Sequence, residues 1–490
     1  MKPLQHMNHT FRYADLHCHP NLKTFGHSFD RRISPKSDVW HTVPATPYRR
    51  RVQGITGITK FSQTDLSTMT RAGARIALVS LYPFEKGFFF NRYVPAPLAA
   101  WLANWGIEIG YERVRYLQQH TDYFTDLLNE YRFLRHSPKV KYLEGAQAQW
   151  VLTRNWAEVE AITAQPDSIA VVLTIEGAHV FNCGLGDYGV TPNEEEILSN
   201  IEAVKGWDHV PLFIGLAHNF NNDLCGHARS LQRLGGLVNQ EQNIDTGISA
   251  LGYKAIQALL SEENGRPIYI DLKHMSLAGR QQYYGLLKTD YANKRIPIVV
   301  SHGSVTGRSI GAETCSTTCT DIFNTGNLNF FDEEIVEVVR SGGLFAIQMD
   351  RAVNTDALKL KSFLQAHKGE PPIRTSARII WNQLQHIAEV CDRAGLYAWG
   401  STAVGSDFDG SICPFPGVLT AAGLEPLAQE LAPLASAFLS SHPFSLFENR
   451  NITPEEVIDR FMYSNTVAFL RQFYNHQPAY QQPSILTASP

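Results

Sequence analysis

Eight short runs of β-branched and apolar residues recur along the chain, near 12–17, 75–82, 169–176, 211–217, 267–273, 297–302, 343–349 and 398–407. Amphipathic segments fall between most of them, at 65–73, 194–205, 246–261, 331–341 and 374–394. Strands that alternate with helices pair in parallel, because each helix carries the chain back to the start of the next strand. Eight such units predict a closed (β/α)8 barrel, an α/β fold. The 490 residues exceed what a minimal barrel needs. The surplus lies after strand 1 (20–64), after strand 2 (85–165) and after strand 6 (303–330). The second of these reads as a helical insertion, with a long helix over 107–135 and another over 154–164. The first and third are expected to wall a pocket, since loops that follow strands gather at the catalytic face. Residues 1–475 thus read as one barrel domain, and the Gln/Pro-rich 476–490 as an extended tail.

The ends of these runs carry the chemistry. RYADLHCHP, residues 12–20, puts Asp15, His17 and His19 at every second position, hence on one face of a strand. Two neutral imidazoles so placed can grip one divalent ion. TIEGAH supplies Glu176 and His179, LAHNFNND supplies His218, and IDLKHMS supplies His274. VVSHGS supplies His302, and GSDFDG supplies Asp407 and Asp409. Singly, a histidine after a strand is more often structural, and an Asp beside Gly is more often a turn former. Together, at ends that a closed barrel brings to one small area, they fit a two-metal hydrolase. Such a site holds two ions a few ångströms apart that share a bridging carboxylate and hydroxide.

Composition removes other classes. A net charge of −4 and a pI near 6.5 give no electrostatic case for nucleic acid or an anionic membrane surface. No apolar stretch is long enough to span a bilayer, and neither end has the apolar core of a signal peptide or lipid-anchor tail. The seven cysteines are odd in number and scattered, which argues against a disulfide framework and for a reducing, cytoplasmic setting. Cys315 and Cys319 are close enough for a local disulfide or a metal clip.

IEGAH, LAHN, IDLKH, VVSHGS and GSDFDG, in that order, resemble the membrane dipeptidase (renal dipeptidase) family of the amidohydrolase superfamily. FSQTDLSTMTRAGARIALVSLYP resembles that family's second-strand unit, and NITPEEVIDRFMYSNTVAFLRQF, residues 451–473, its closing helices. The likeness spans most of 13–473. It implies two divalent ions, zinc first among them, and a homodimer. It places His17 and His19 on one ion, His274 and His302 on the other, and Glu176 across both. Asp407 would contact the bridging water and move its proton, while His218 would stabilise the oxyanion of the scissile carbonyl. Asp15, Asp271 and Asp409 would orient ligands or serve structure.

Two departures bear on this. His19 stands where the family has Asp, so the site loses one negative charge. Gly326, before Asn327, stands where the family has the Arg that holds a dipeptide's carboxylate. Arg308, in the enlarged loop, is a candidate replacement for that charge. Lys273 is another, though an exposed or ion-paired lysine is the plainer reading. The leading expectation is hydrolysis of a dipeptide or small amide. The alternatives are a hydrolase of N-acyl amino acids, lactones or a specialised metabolite, and, more remotely, a non-catalytic metal-binding scaffold.

Overall fold

The computed structural model describes residues 10–89, 94–231 and 238–475; the tail expected over 476–490 lies outside them. Ten strands are present: β1 (Tyr13–Cys18), β2 (Ala74–Leu81), β3 (Val140–Leu143), β4 (Ala146–Leu152), β5 (Ser168–Ile175), β6 (Phe213–Gly215), β7 (Tyr269–Asp271), β8 (Val299–Gly303), β9 (Leu344–Ile347) and β10 (Thr402–Val404). Their order is β2-β1-β10-β9-β8-β7-β6-β5-β4-β3, and a further β2–β5 pairing closes the ring. β1, β2 and β5 to β10 form a parallel eight-stranded barrel wrapped by helices. The eight runs read from the sequence are these eight strands. Closure is firm: β2 and β5 pair from Ile76↔Ala170 to Leu81↔Ile175. β5 reads SIAVVLTI and is buried throughout. Strands covered on both faces are continuous apolar runs for this reason, with little alternation.

The segment after β2 departs from expectation. The helix expected over 107–135 is broken into Tyr111–Gln119 and Tyr123–His136, and a further helix, Ala96–Ile107, precedes them. Glu108 and Gly110 adopt positive φ (63° and 89°), which ends one helix. Asp122 then starts another, its carboxylate accepting from Thr125 N–H at 2.8 Å. The helix expected at 154–164 is present as Trp156–Thr163. Between them lies an unexpected hairpin, β3–β4, turning at Glu144-Gly145 with φ of 53° and 89°. Two left-handed residues match the twist of a two-residue hairpin loop. β4 then runs parallel to the first half of β5, from Gln149↔Ser168 to Leu152↔Val171.

The closing segment supports the barrel from outside. Asn465, in helix Asn465–Phe473, donates to the carbonyls of Trp399 and Thr402, each at 2.8 Å, at the start of β10. Among the described residues no helix is long and apolar enough to cross a membrane. Packing is close where β10 leaves the barrel. A Cβ on Gly405 would stand 1.9 Å from the Ser301 carbonyl oxygen and 2.8 Å from Ala346 Cβ. Backbone on one side leaves nothing flexible to move, so Gly405→Ala is expected to lower stability by about 1–3 kcal/mol, read from denaturant unfolding.

Candidate metal centre

Glu176 follows β5 directly, and its carboxylate is the hub of the barrel mouth. His218 Nε2 lies 3.2 Å, His302 Nε2 3.4 Å, His274 Nε2 3.5 Å and His17 Nε2 3.6 Å from Oε1. His19 Nε2 lies 3.1 Å from Oε2. Asp407 Oδ1 approaches the same nitrogens, 3.5 Å from His19 and 3.9 Å from His17. All seven side chains come from the carboxyl ends of β1, β5, β6, β7, β8 and β10, and all are buried or nearly so. Three sets have ligand atoms close enough to share an ion: His17, His19 and Glu176; His17, His302 and Asp407; Glu176, His218 and His274. His302 thus groups with His17 as well as lying near His274, whose Nε2 is 3.4 Å from its own.

Backbone geometry aims two of these groups. His274 and Asp407 both have positive φ, 67° and 56°. A left-handed residue outside glycine is costly, and such residues gather at sites where side-chain direction matters. Gly410 leaves the space that Asp407 uses: a Cβ there would lie 1.8 Å from Asp407 Oδ1.

The donors themselves test whether a cation fits. His19 Nδ1 faces the Ser80 carbonyl at 3.2 Å, and a carbonyl only accepts, so this nitrogen carries the hydrogen. The neutral ring then turns a bare Nε2 lone pair toward the Glu176 carboxylate and toward His17 Nε2, 3.0 Å away. Lone pairs facing an anion repel unless a proton or a metal lies between. Without metal the proton wins: burial pulls His19 down, but Asp407 and Glu176 raise it to about 10. Burial likewise opposes charge on His218, yet Glu176 and Glu85 raise it to about 10. His274 is pushed down to about 3, by burial and then by His218, so it stays a neutral donor. Burial also holds His302 well below its usual range. The site calls for positive charge and offers nitrogen and oxygen ligands to hold it.

Outer contacts fix these groups. Ser301 Oγ sits 2.8 Å from His302 Nδ1 and 3.3 Å from His17 Nδ1, and donates to Asp271 Oδ2 at 2.5 Å. Asp15 takes Ser406 N–H at 2.9 Å and Ser406 Oγ–H at 2.5 Å, tying β1 to the turn after β10. Asp409 serves the connection after β1: it accepts from Lys23 Nζ at 2.8 Å and from Gln63 and Thr64 N–H at 2.9 and 3.0 Å. His179 turns away from the hub and pairs with the Pro83 carbonyl at 2.7 Å.

Sequence reading missed two groups that touch the site. Glu85, after β2, accepts from His218 Nδ1–H at 2.6 Å and from the N–H groups of Asn219 and Phe220. Burial would raise its carboxyl, but His218 and these donors hold it at about 2. Gln348, after β9, donates from Nε2 to Asp407 Oδ2 at 2.6 Å. Both lie just past strand ends, in LYPFEK and FAIQMD, and that position is their signal in the sequence.

The candidate anion anchors divide. Lys273 is neither exposed nor on the surface; it is 1% exposed, its Nζ 3.1 Å from Gln348 Oε1. Burial lowers its amine to about 8, against the pull of Asp407 and Asp350. Arg308 instead faces Asp321, at 3.9 Å. Asn327 is exposed, and its carbonyl accepts from Arg280, whose guanidinium is paired with Glu334 at 2.6 Å.

No protein-family model and no curated protein matches this sequence. Among solved structures, similar chains include the probable dipeptidase PvdM of Pseudomonas aeruginosa, with a TM-score of 0.49 and 13% identity over 96% of each chain. A metallopeptidase of Rhodobacter sphaeroides, solved with a phosphinate mimic of the dipeptide L-Ala-D-Ala, aligns at a TM-score of 0.49 and 15% identity, over 95% of this chain and 100% of that one. An amidohydrolase of Pseudomonas aeruginosa aligns at 0.44 and 14% identity, over 84% of this chain and 92% of that one.

A protonated His19 has to release its proton before it can hold a metal. Its folded value of about 10 lies above the working range, so uptake strengthens as pH rises toward it. The affinity for zinc, titrated between pH 6 and 9, is expected to climb about tenfold per unit for each proton displaced. His19→Ala is expected to remove that slope and lower the bound metal, measured by elemental analysis.

Proposed function

We propose that this protein is a metal-dependent hydrolase with a binuclear centre that cleaves a small amide or dipeptide. The observation that carries the reading is Glu176, a single buried carboxylate within 3.6 Å of the ring nitrogens of His17, His19, His218, His274 and His302. His17, His19, His274, His302 and Asp407 would hold two ions across Glu176, with zinc the first to test. Divalent ions there supply a lowered pKa for water and polarisation of the scissile carbonyl. The ordered likeness of the strand-end motifs to the membrane dipeptidase family supports the same chemistry, and with it a homodimer; the seven scattered cysteines favour a cytoplasmic setting.

The chain's own residues then divide the work. Lys273 Nζ can only donate, so Gln348 must turn Oε1 toward it and Nε2 toward Asp407. Asp407 Oδ2 is thereby occupied, and Oδ1 is the oxygen that can take a proton from water and hand it to the leaving amine. Glu176 and Glu85 keep the His218 ring charged, and Glu85 orients it through Nδ1. The Nε2–H of His218 is then a donor for the oxyanion, an interaction worth about 3 kcal/mol in comparable sites.

A second reading, a substrate other than a dipeptide, is favoured by the substrate end of the site. Gly326 offers no charge, Arg308 faces Asp321, and Asn327 is tied by its carbonyl to Arg280. Zinc-loaded protein should be assayed on L,L and L,D dipeptides beside the matching C-terminal amides. Turnover that needs the free carboxylate supports a dipeptidase; turnover of amides, N-acyl amino acids or lactones alone supports the second reading. No turnover of any of these by fully loaded protein would leave the scaffold alternative.

Asp407→Asn and His274→Ala are each expected to reduce kcat by at least about a hundredfold in folded protein. Lys273→Met frees the Gln348 amide to flip. It is expected to lower kcat about tenfold while KM and metal content hold, and a matched fall in bound metal would count against this role.

A further inference from the structure

Outside the metal centre, the loop after β8 brings three chemically matched groups into a line. Asp332 Oδ1 accepts from His386 Nε2–H at 2.8 Å. The other edge of that ring meets Thr317 Oγ1 at 2.8 Å from Nδ1. Thr317 Oγ1 is in turn 3.6 Å from Cys315 Sγ. A carboxylate that orients an imidazole, with a hydroxyl joining that imidazole to a thiol, gives the thiol's proton a route away and leaves a sulfur nucleophile. Asp332 is itself held in place by Ser316 Oγ–H at 2.5 Å and by Arg393 Nη2 at 3.5 Å. His386 is fully buried, whereas Cys315 is only half-buried and open to small reagents.

The other cysteines lack this environment. All seven thiols are free, which sets aside the disulfide considered for Cys315 and Cys319. Burial raises Cys18, Cys183 and Cys319, and pushes Cys225 and Cys391 up to about 12. Cys315 moves the other way: burial opposes its thiolate, but His386 and Thr317 lower it. Cys319, four residues on and also half-buried, points to the Asn382 carbonyl at 3.5 Å instead. It is a neighbouring thiol with no imidazole relay, and it is more deeply enclosed than Cys315.

We propose that Cys315 is a nucleophilic modification site, activated by His386 and Asp332, and that its reactants are small hydroperoxides. The thiolate attacks the terminal oxygen of the peroxide. An S–O bond forms as the O–O bond breaks, giving a sulfenic acid, and the leaving alkoxide or hydroxide takes the proton of the His386 imidazolium. Sulfur is oxidised by two electrons and the peroxide is reduced by two, so no further reagent is needed.

The test uses the full-length protein and peptide mass spectrometry. Iodoacetamide at pH 6.5 is expected to label Cys315 at least about tenfold faster than Cys319, with a midpoint below that of an ordinary thiol. The groups that set this profile are His386, Asp332, Arg393, Glu389 and Cys319. Hydrogen peroxide is expected to give a dimedone adduct on Cys315. His386→Gln is expected to lower Cys315 labelling at least about tenfold, and Asp332→Asn to do so in part should the first variant fold poorly. Equal labelling of Cys315 and Cys319 in the unmodified chain, or no peroxide product at Cys315, would overturn the proposal without any variant.

Discussion

The burial of Glu176 among five imidazoles is the constraint on which the mouth of the barrel depends. An isolated buried carboxylate is prohibitively costly, and a ring of neutral nitrogen lone pairs around it would make matters worse. Positive charge has to enter, as protons or as metal. Much else near the barrel axis follows from that demand. Glu85 pairs with His218, Ser80 takes the far side of His19, and Lys273 reaches Asp407 through Gln348. Each contact either supplies charge or decides which nitrogen of a ring is left bare.

The supports repeat a single device. Asp15 binds the N–H and hydroxyl of Ser406, and Asp271 binds the N–H and hydroxyl of Ser301, with matching oxygens and near-equal lengths. Each Asp also accepts from the N–H two residues on, His17 in one case and Lys273 in the other. A short β-strand has few ladder bonds with which to hold its end. These clamps fasten β1 to the turn after β10 and β7 to β8, just where the candidate ligands leave the strand. Preorganisation of this kind is what keeps metal donors within reach of one another before any ion arrives.

The barrel was legible because its strands are buried on both faces and so read as short apolar runs, of which β5 is the clearest. The cluster at the barrel mouth was legible because histidines and acids past strand ends converge there once the ring closes. What escaped was set by convergence in space. Nothing local marks Gln348 as the partner of Asp407, or Lys273 as buried, because both depend on strands that meet only when the ring closes. The β3–β4 hairpin escaped for another reason: Val140–Leu143 is too short to show a period, and Glu144 is an unusual residue for a left-handed turn position. Arg308 was a fair candidate by charge and position, yet Asp321 meets it first.

That hairpin has a consequence for the molecule in solution. Closing a ring of strands removes every free edge, which is one reason such barrels resist self-association. By laying β4 beside β5 and β3 beside β4, the chain reopens the ring's outer rim and ends the sheet on β3, with Val140 44% and Tyr142 67% exposed. A bare row of amides flanked by apolar side chains is a template for another strand. The chain keeps that row to four residues and sets Lys141 within it, paired with Asp38 at 3.3 Å. Shortness and charge are the means by which soluble sheets discourage unwanted strand addition, and here they guard the one margin that the barrel itself would not have had.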